Sequence, residues 1–239
     1  HVGKVVIELD QSPVVVEDAQ YMIFGGLGDL GLSLASWLIS KKVKHIVLIS
    51  RNAPSPEQNK EVDALRLSTT VIEVLQCNVN HAEEVKNLFN RVNTSNYPLK
   101  GIFHCAGVLD DALLSEQNDQ RFIDVMTPKV NGAWFIHQHT QNLPLDFFVL
   151  FSSATSMLGS SGQANYIAAN SFLDSLAYLR KARGLPTISI NWGAWDEIGM
   201  ASDKALKAQL ARLGIKTIQP SIAIELLCLL YTSPSPRDS

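Results

Sequence analysis

The sequence predicts an α/β protein organised as a doubly wound parallel sheet, and three observations point there. Apolar runs rich in Val, Ile and Phe recur along the chain, each followed by an amphipathic segment of helix length. Several of these runs are continuously apolar, as strands covered on both faces should be. The first run leads directly into a glycine-rich turn, "GGLGDLG", that opens onto a helix.

Taken in order, strands are expected over residues 21–24, 45–50, 70–77, 100–106, 146–152 and 187–192. Helices are expected over 30–40, 57–67, 82–92, 119–142, 164–183 and 202–213. Short polar segments join them, and right-handed crossovers stack the helices on both faces of one sheet. No long internal repeat competes with this reading.

The chain has 239 residues, 46% hydrophobic and 18% charged, enough for one sizeable core. A net charge of -3 gives no basic face for nucleic acid, and no apolar run approaches the roughly 18 residues that span a bilayer. Neither a nucleic-acid nor a membrane partner is expected. Cys77, Cys105 and Cys228 lack metal-ligand spacing, so no metal site is expected, and their odd number suits reduced thiols in a cytoplasmic protein. Cys77 and Cys105 read as buried and inert.

The chain begins at His1 without a methionine or a signal-peptide pattern, and reads as a piece of something longer. At the other end "CLLYTSPSPRD" back-translates without mismatch into a transposase adapter sequence used in library preparation. Residues 228–239 are therefore expected to be non-native, with the natural sequence stopping near Leu227 and the final strand of the sheet missing.

In "GGLGDLG", Gly26, Gly28 and Gly31 have G-x-G-x-x-G spacing, with Gly25 before them and Leu30 within. Such glycines tighten the turn and let the backbone approach a pyrophosphate, whose charge a helix N-terminus favours. Asp29 can point to solvent. At the end of the second strand Ser50 and Arg51 stand where an acidic residue would grip a ribose hydroxyl, so NADPH is the expected cofactor. Asn78 and Val79 follow the third strand, where an adenine edge would pack. Ala106 and Gly107 follow the fourth, for a close backbone approach to the cofactor ribose. His104 reads as a core histidine rather than a catalytic base.

Hydride reduction of a carbonyl needs a proton donor and hydrogen bonds to the developing alkoxide. In "SSGQANYIAANSF", Tyr166 and Asn170 are i and i+4 on one helix face. Ser153 precedes Tyr166 by thirteen residues and lies where the chain leaves the fifth strand, while Ser152 should alternate inward. A tyrosine with an unperturbed pKa near 10 needs a cation close by to serve in acid–base chemistry at neutral pH. No lysine follows it at i+4.

Serine and tyrosine at this spacing, on such a sheet with such a first turn, resemble the short-chain dehydrogenase/reductase family, with its Rossmann-like fold. The family usually has Y-x-x-x-K, and Tyr166-Ile-Ala-Ala-Asn170 departs from it. The departure resembles the ketoreductase domains of modular polyketide synthases and animal-type fatty acid synthases, in which lysine and asparagine have exchanged places. "TPKVNGAWFIHQ" supplies Lys129 at the matching position, and the resemblance extends through "SRNAP", "FHCAGVLDDALL" and "INWGAWDEIGMA".

The resemblance implies reduction of a β-ketoacyl thioester on the phosphopantetheine arm of an acyl carrier protein, with NADPH as hydride donor. Tyr166 would donate the proton, Ser153 would bind the carbonyl oxygen, Lys129 would depress the Tyr166 pKa and reach the nicotinamide ribose, and Asn170 would help fix a water and hydroxyl relay. "VLDD", residues 108–111, looks like the fingerprint of B-type domains, associated with D (3R) alcohols, with Asp111 as the diagnostic position. Leu158 stands where A-type domains carry tryptophan. A capping role for Asp110 and Asp111 on the next helix is the alternative. Trp192 and Trp195 would pack beneath the cofactor and at the start of a substrate lid, which Gly199 and Met200 would begin. Phe24 and Asn78 depart from the subgroup's usual threonine and aspartate.

The opening "HVGKVVIEL" (residues 1–9) resembles the last strand of an enoylreductase domain, followed by a linker over 10–19 and the ketoreductase over 20–227. The implied setting is a multidomain synthase with enoylreductase and dehydratase neighbours; alternatively these residues end a structural subdomain of the ketoreductase itself. The competing functions are a catalytically silent or epimerising relative and a free-standing short-chain reductase.

Overall fold

The computed structural model describes residues 15–196, 214 and 216–232, the last five of these by backbone alone. Six strands alternate with helices: β1 (Gln20–Phe24), α1 (Asp29–Ser40), β2 (His45–Ser50), α2 (Pro56–Arg66), β3 (Val71–Gln76), α3 (Ala82–Val92) and β4 (Leu99–His104). The chain continues through α4 (Asp119–Thr140), β5 (Phe147–Ser153), the short α5 (Thr155–Leu158), α6 (Ala164–Ala182), β6 (Ile188–Trp192) and α7 (Pro220–Thr232). All pairings are parallel, in the order β3-β2-β1-β4-β5-β6. The chain reverses its direction of travel between β1 and β4, and in such sheets ligands bind outside the carboxyl ends of the strands at that point.

The two-residue period of a strand explains how the core divides. Tyr21, Ile23, Ile46 and Leu48 face one apolar layer with Leu34, Ala35 and Leu38 of α1 and Ala223 and Ile224 of α7. Met22, Phe24, Val47 and Ile49 face the other, with Val85 and Phe89 of α3, Ile136 of α4 and Leu173 of α6. Each Val, Leu, Ile, Met or Phe among them, once removed from water, contributes about 1.5–3 kcal/mol of hydrophobic stabilisation. Helix starts are set locally. A reciprocal capping box between Ser55 and Gln58 begins α2, and the Asn118 side chain accepts from the Arg121 amide to begin α4.

The strands and the first five long helices lie within two residues of the positions expected from sequence. Three elements are not anticipated by the sequence: the short α5, a 3₁₀ turn at Leu114–Glu116, and α7. The run "SIAIELLCLL" in α7 is almost uniformly apolar and offers no periodicity to mark a helix. Beyond β6, Trp195 bridges Ile218 in parallel, which brings α7 down beside α1. The expected helix over 202–213, the enoylreductase-like opening and the first half of the linker, residues 10–14, lie outside the described residues, as do residues 233–239. Among the described residues no helix is long and apolar enough to cross a membrane.

Candidate active site

The glycine-rich turn sits at the carboxyl end of β1. The Gly25 and Gly26 amides both donate to the Ile49 carbonyl at 2.9 Å, and the Gly28 amide donates to the Gly25 carbonyl at 3.1 Å. Gly25 has φ +81°, and a Cβ at Gly31 would lie 2.5 Å from the Gly25 oxygen. The start of α1 is thus pressed against the turn, and only glycine fits at either position. Gly28 is the N-cap of α1 and offers no side chain to cap its first amides. Leu30 packs against the core layer on the α1 side. The amides of Gly25, Gly26 and Gly28 hold the turn's own shape, and the N-terminus of α1, which no side chain caps, is the end that a pyrophosphate would meet.

The remaining sequence-predicted cofactor positions follow the carboxyl ends of neighbouring strands and therefore share one edge. Ser50 is half-buried and Arg51 exposed. The Arg51 carbonyl accepts from Gln76 Nε2 at 3.1 Å. Asn78 Oδ1 accepts from the Asn80 amide, while its own amide donates to Glu84. Val79 is buried against Gly132 of α4. The Ala106 amide lies 2.9 Å from where a Gly25 Cβ would sit, so the ends of β1 and β4 touch.

Lys129, Tyr166 and Ser153 come together beside this edge. Lys129 on α4 is only 2% exposed. Its Nζ donates to the Phe151 carbonyl at 2.8 Å and lies 5.6 Å from the centre of the Tyr166 ring. A Cβ on Gly107 would come within 2.9 Å of Lys129 Cε, so the lysine stem runs directly beside the β4 loop. Burial lowers the Lys129 pKa to about 8, partly offset by the nearby Cys105 and Asp174. His104, fully buried with Nε2 3.1 Å from the Pro128 carbonyl, anchors α4 next to this lysine. Desolvation lowers its pKa to about 3, so it stays a neutral core residue. Burial raises the Cys77 thiol to about 11 and raises Cys105 as well, so neither is a ready nucleophile.

Tyr166 on α6 is buried, and desolvation raises its pKa; the side chains of Asn170 and Ser153 pull it down, and Asp111 pushes it up. The expected depression by Lys129 does not govern here. The ammonium is engaged with the Phe151 carbonyl, and loss of solvent outweighs the other influences. Ser153 Oγ accepts from the Thr155 amide at 3.2 Å and from Thr155 Oγ1 at 3.0 Å, which leaves its own proton to donate outward. Ser152 points inward, as the strand alternation requires. Asn170 is fully buried, and its Nδ2 donates to the Tyr166 carbonyl at 2.8 Å. Its Oδ1 has no hydrogen-bond partner.

Around this centre the structure separates the other candidates. Asp111 is exposed and accepts from Gln163 Nε2 at 2.9 Å, while Asp110 pairs with Arg121. Neither caps a helix; Asn118 does that for α4. Leu158 is 81% exposed at the end of α5. Trp192 and Trp195 are buried, 5.1 Å apart edge to face, with Phe151 packed on both. They form core beneath the site. Gly199 and Met200 lie outside the described residues. Sequence reasoning missed Asn165, whose Nδ2 donates to the Asp110 carbonyl at 2.9 Å and whose Oδ1 accepts from the Tyr166 amide at 2.8 Å. Its one signal was a polar residue next to the tyrosine on a helix start that has no other cap.

Residues 19–197 match the model described as the KR domain. This chain belongs to the KR, or ketoreductase, domain family. Its similarity to known proteins is consistent over the whole fold. The ketoreductase chain is 32% identical to Squalestatin tetraketide synthase clz2 of Cochliobolus lunatus over all of its length and 10% of that synthase. It is 38% identical to Phenolphthiocerol synthesis polyketide synthase type I Pks15/1 of Mycobacterium marinum, over 95% of this chain and 11% of the other. The chain thus spans about a tenth of the length of these curated relatives. Among solved structures, an A-type ketoreductase from a modular polyketide synthase superposes with TM-score 0.87 at 31% identity, covering 95% of this chain and 48% of that one. The first ketoreductase of the tylosin synthase gives 0.78 at 37%, covering 88% and 46%. KR domains are oxidoreductases, and the doubly wound sheet expected from sequence is the fold they share.

Proposed function

We propose that this domain uses NADPH to reduce the β-keto group of an acyl thioester borne by an acyl carrier protein, giving a β-hydroxyacyl thioester of D (3R) configuration. The observation that carries this reading is the meeting of a buried tyrosine, a buried ammonium and a serine hydroxyl with a proton to give, beside a glycine cradle. NADPH, when bound, supplies the hydride. Gly25, Gly26, Gly28, Leu30 and Gly31 would hold its pyrophosphate, Ser50 and Arg51 its 2'-phosphate, Asn78 and Val79 its adenine, and Ala106 and Gly107 its ribose.

Ser153 donates its proton as a hydrogen bond to the substrate carbonyl oxygen, which orients it and stabilises the charge that develops there. Tyr166 then gives its phenolic proton to that oxygen, forming the alcohol. Burial favours the protonated phenol, so the donor is loaded before reaction. Once the proton has left, Lys129 supplies the opposite charge across the ring face. Asn170, whose Oδ1 is unpartnered, would accept from a water that re-protonates the site.

The 3R configuration rests on Asp111 and Leu158. Asp111 is tied through Gln163 to the start of the Tyr166 helix, where it can guide one face of the thioester toward the tyrosine. The same reading places an enoylreductase end over residues 1–9, a linker over 10–19, the ketoreductase over 20–227 and a non-native tail over 228–239, with enoylreductase and dehydratase neighbours in a cytoplasmic synthase. The test is NADPH oxidation with a β-ketoacyl N-acetylcysteamine thioester, with chiral analysis of the product. Formation of the 3R alcohol is expected. A silent or epimerising domain would leave NADPH unoxidised, and a 3S product would overturn the stereochemical assignment.

A further inference from the structure

Asp174 lies eight residues beyond Tyr166 on α6, two turns along the helix. Its carboxylate gathers side chains from two other elements. Oδ2 accepts from Ser156 Oγ of α5 at 2.8 Å and from Asn191 Nδ2 of β6 at 2.9 Å, and Oδ1 accepts from Ser189 Oγ of β6 at 2.6 Å. Asn191 Nδ2 is also 2.8 Å from Ser156 Oγ and 3.3 Å from both Ser152 Oγ and the Ser153 carbonyl. Ser156 Oγ has one proton and two acceptors in reach, Asp174 and the Ser153 carbonyl at 2.9 Å; the carboxylate is the stronger. The segment that carries Ser153 is therefore bound to β6 on one side and, through Asp174, to the helix that carries Tyr166 on the other.

We propose that Asp174 is a positioning residue for the reduction, a clamp that fixes the Ser153 segment against α6 and so sets the separation of the Ser153 and Tyr166 hydroxyls. This rests on the ketoreductase reading above. The network has no other evident use: Asp174 touches none of the proposed cofactor positions, and its three donors come from the elements that flank Ser153. The carboxylate also acts on Lys129, since its charge, with Cys105, partly offsets the burial that lowers the ammonium to about 8. The titratable groups facing Lys129 are His104 and Cys105 from the end of β4 and Tyr166 and Asp174 from α6.

Asp174→Asn keeps the shape of the side chain and removes its charge and one acceptor, and Ser189→Ala removes a single donor. In the 239-residue chain, Asp174→Asn should lower kcat by about 10- to 100-fold, the scale of an approximately 1 Å misplacement, with KM for the thioester and Kd for NADPH within about threefold of wild type. Ser189→Ala should show a smaller loss of the same kind. Two readouts need neither cofactor nor substrate. A crystal structure of Asp174→Asn should show the 152–156 segment displaced from α6, and NMR of lysine-labelled protein should show Lys129 losing its proton at lower pH than in wild type. An unmoved segment with an unchanged Lys129 titration overturns the proposal. If the wild-type chain reduces no thioester, the ketoreductase reading fails, while the structure and the lysine titration still decide what Asp174 does.

Discussion

The β1–β2–β3 half of the sheet and the β4–β5–β6 half treat polarity in opposite ways. In the first half the buried polar side chains Gln20, His45 and Thr70 sit at the amino ends of the strands, away from the site, and the carboxyl edge is built from glycines and backbone amides. In the second, buried polar side chains run from the site into the core: His104, Lys129, Ser152, Asn165 and Asn170, then the Arg180 guanidinium against His137, Thr140 and Thr187. On the proposed reading, a phosphate-bearing cofactor would be met by main-chain donors that need only a tight turn. Proton transfer needs side chains of particular acidity, and burying them requires a partner for nearly every polar atom.

Four expectations break or sharpen that contrast. Tyr166→Phe removes the proposed proton donor and should lower kcat by about 10²- to 10⁴-fold with little change in melting temperature, measured by NADPH oxidation and calorimetry. Second in size is acid destabilisation. Free histidine titrates near 6.5 and folded His104 near 3, so between these values the unfolded chain takes a proton that the folded one refuses. Stability is fully present above pH 6.5 and is lost as pH falls toward 3, by roughly 3 kcal/mol or more from this residue. Denaturant titrations across that range should show the loss, and His104→Gln should flatten it.

Gly31→Val tests the cofactor half. Its side chain would drive into the Gly25 carbonyl, costing about 1–3 kcal/mol of stability and weakening NADPH binding by fluorescence titration. Arg51→Ala should cost about tenfold in NADPH affinity and leave NADH affinity unchanged, because it removes one charge-assisted contact to a 2'-phosphate. Equal losses for both cofactors would remove Arg51 from the phosphate site.

Much of the first half was legible in the sequence because its devices are local. The apolar runs fix the strands, and "GGLGDLG" lies where one strand ends and a helix starts. The second half was legible only in part. A lone lysine in a long helix reads as surface, and Lys129 was found through the exchanged asparagine; that it is buried and bound to the Phe151 carbonyl is a tertiary fact. Asn165 and Asp174 were missed for the same reason, since their partners come from elements far apart in sequence. At Tyr166 a nearby cation is expected to govern the pKa, and desolvation by burial is the largest influence. Trp192, expected beneath the cofactor, packs on Phe151 and Trp195.

On the proposed reading, the lysine for this tyrosine comes from α4 and not from the i+4 position of its own helix. The most direct measurement is kcat/KM for thioester reduction by Lys129→Met against wild type, at saturating NADPH and near-neutral pH. Lys129→Met should lose about 100-fold or more, with the wild-type rate falling as pH rises past about 8 and the ammonium is lost. A variant within about threefold of wild type would contradict it.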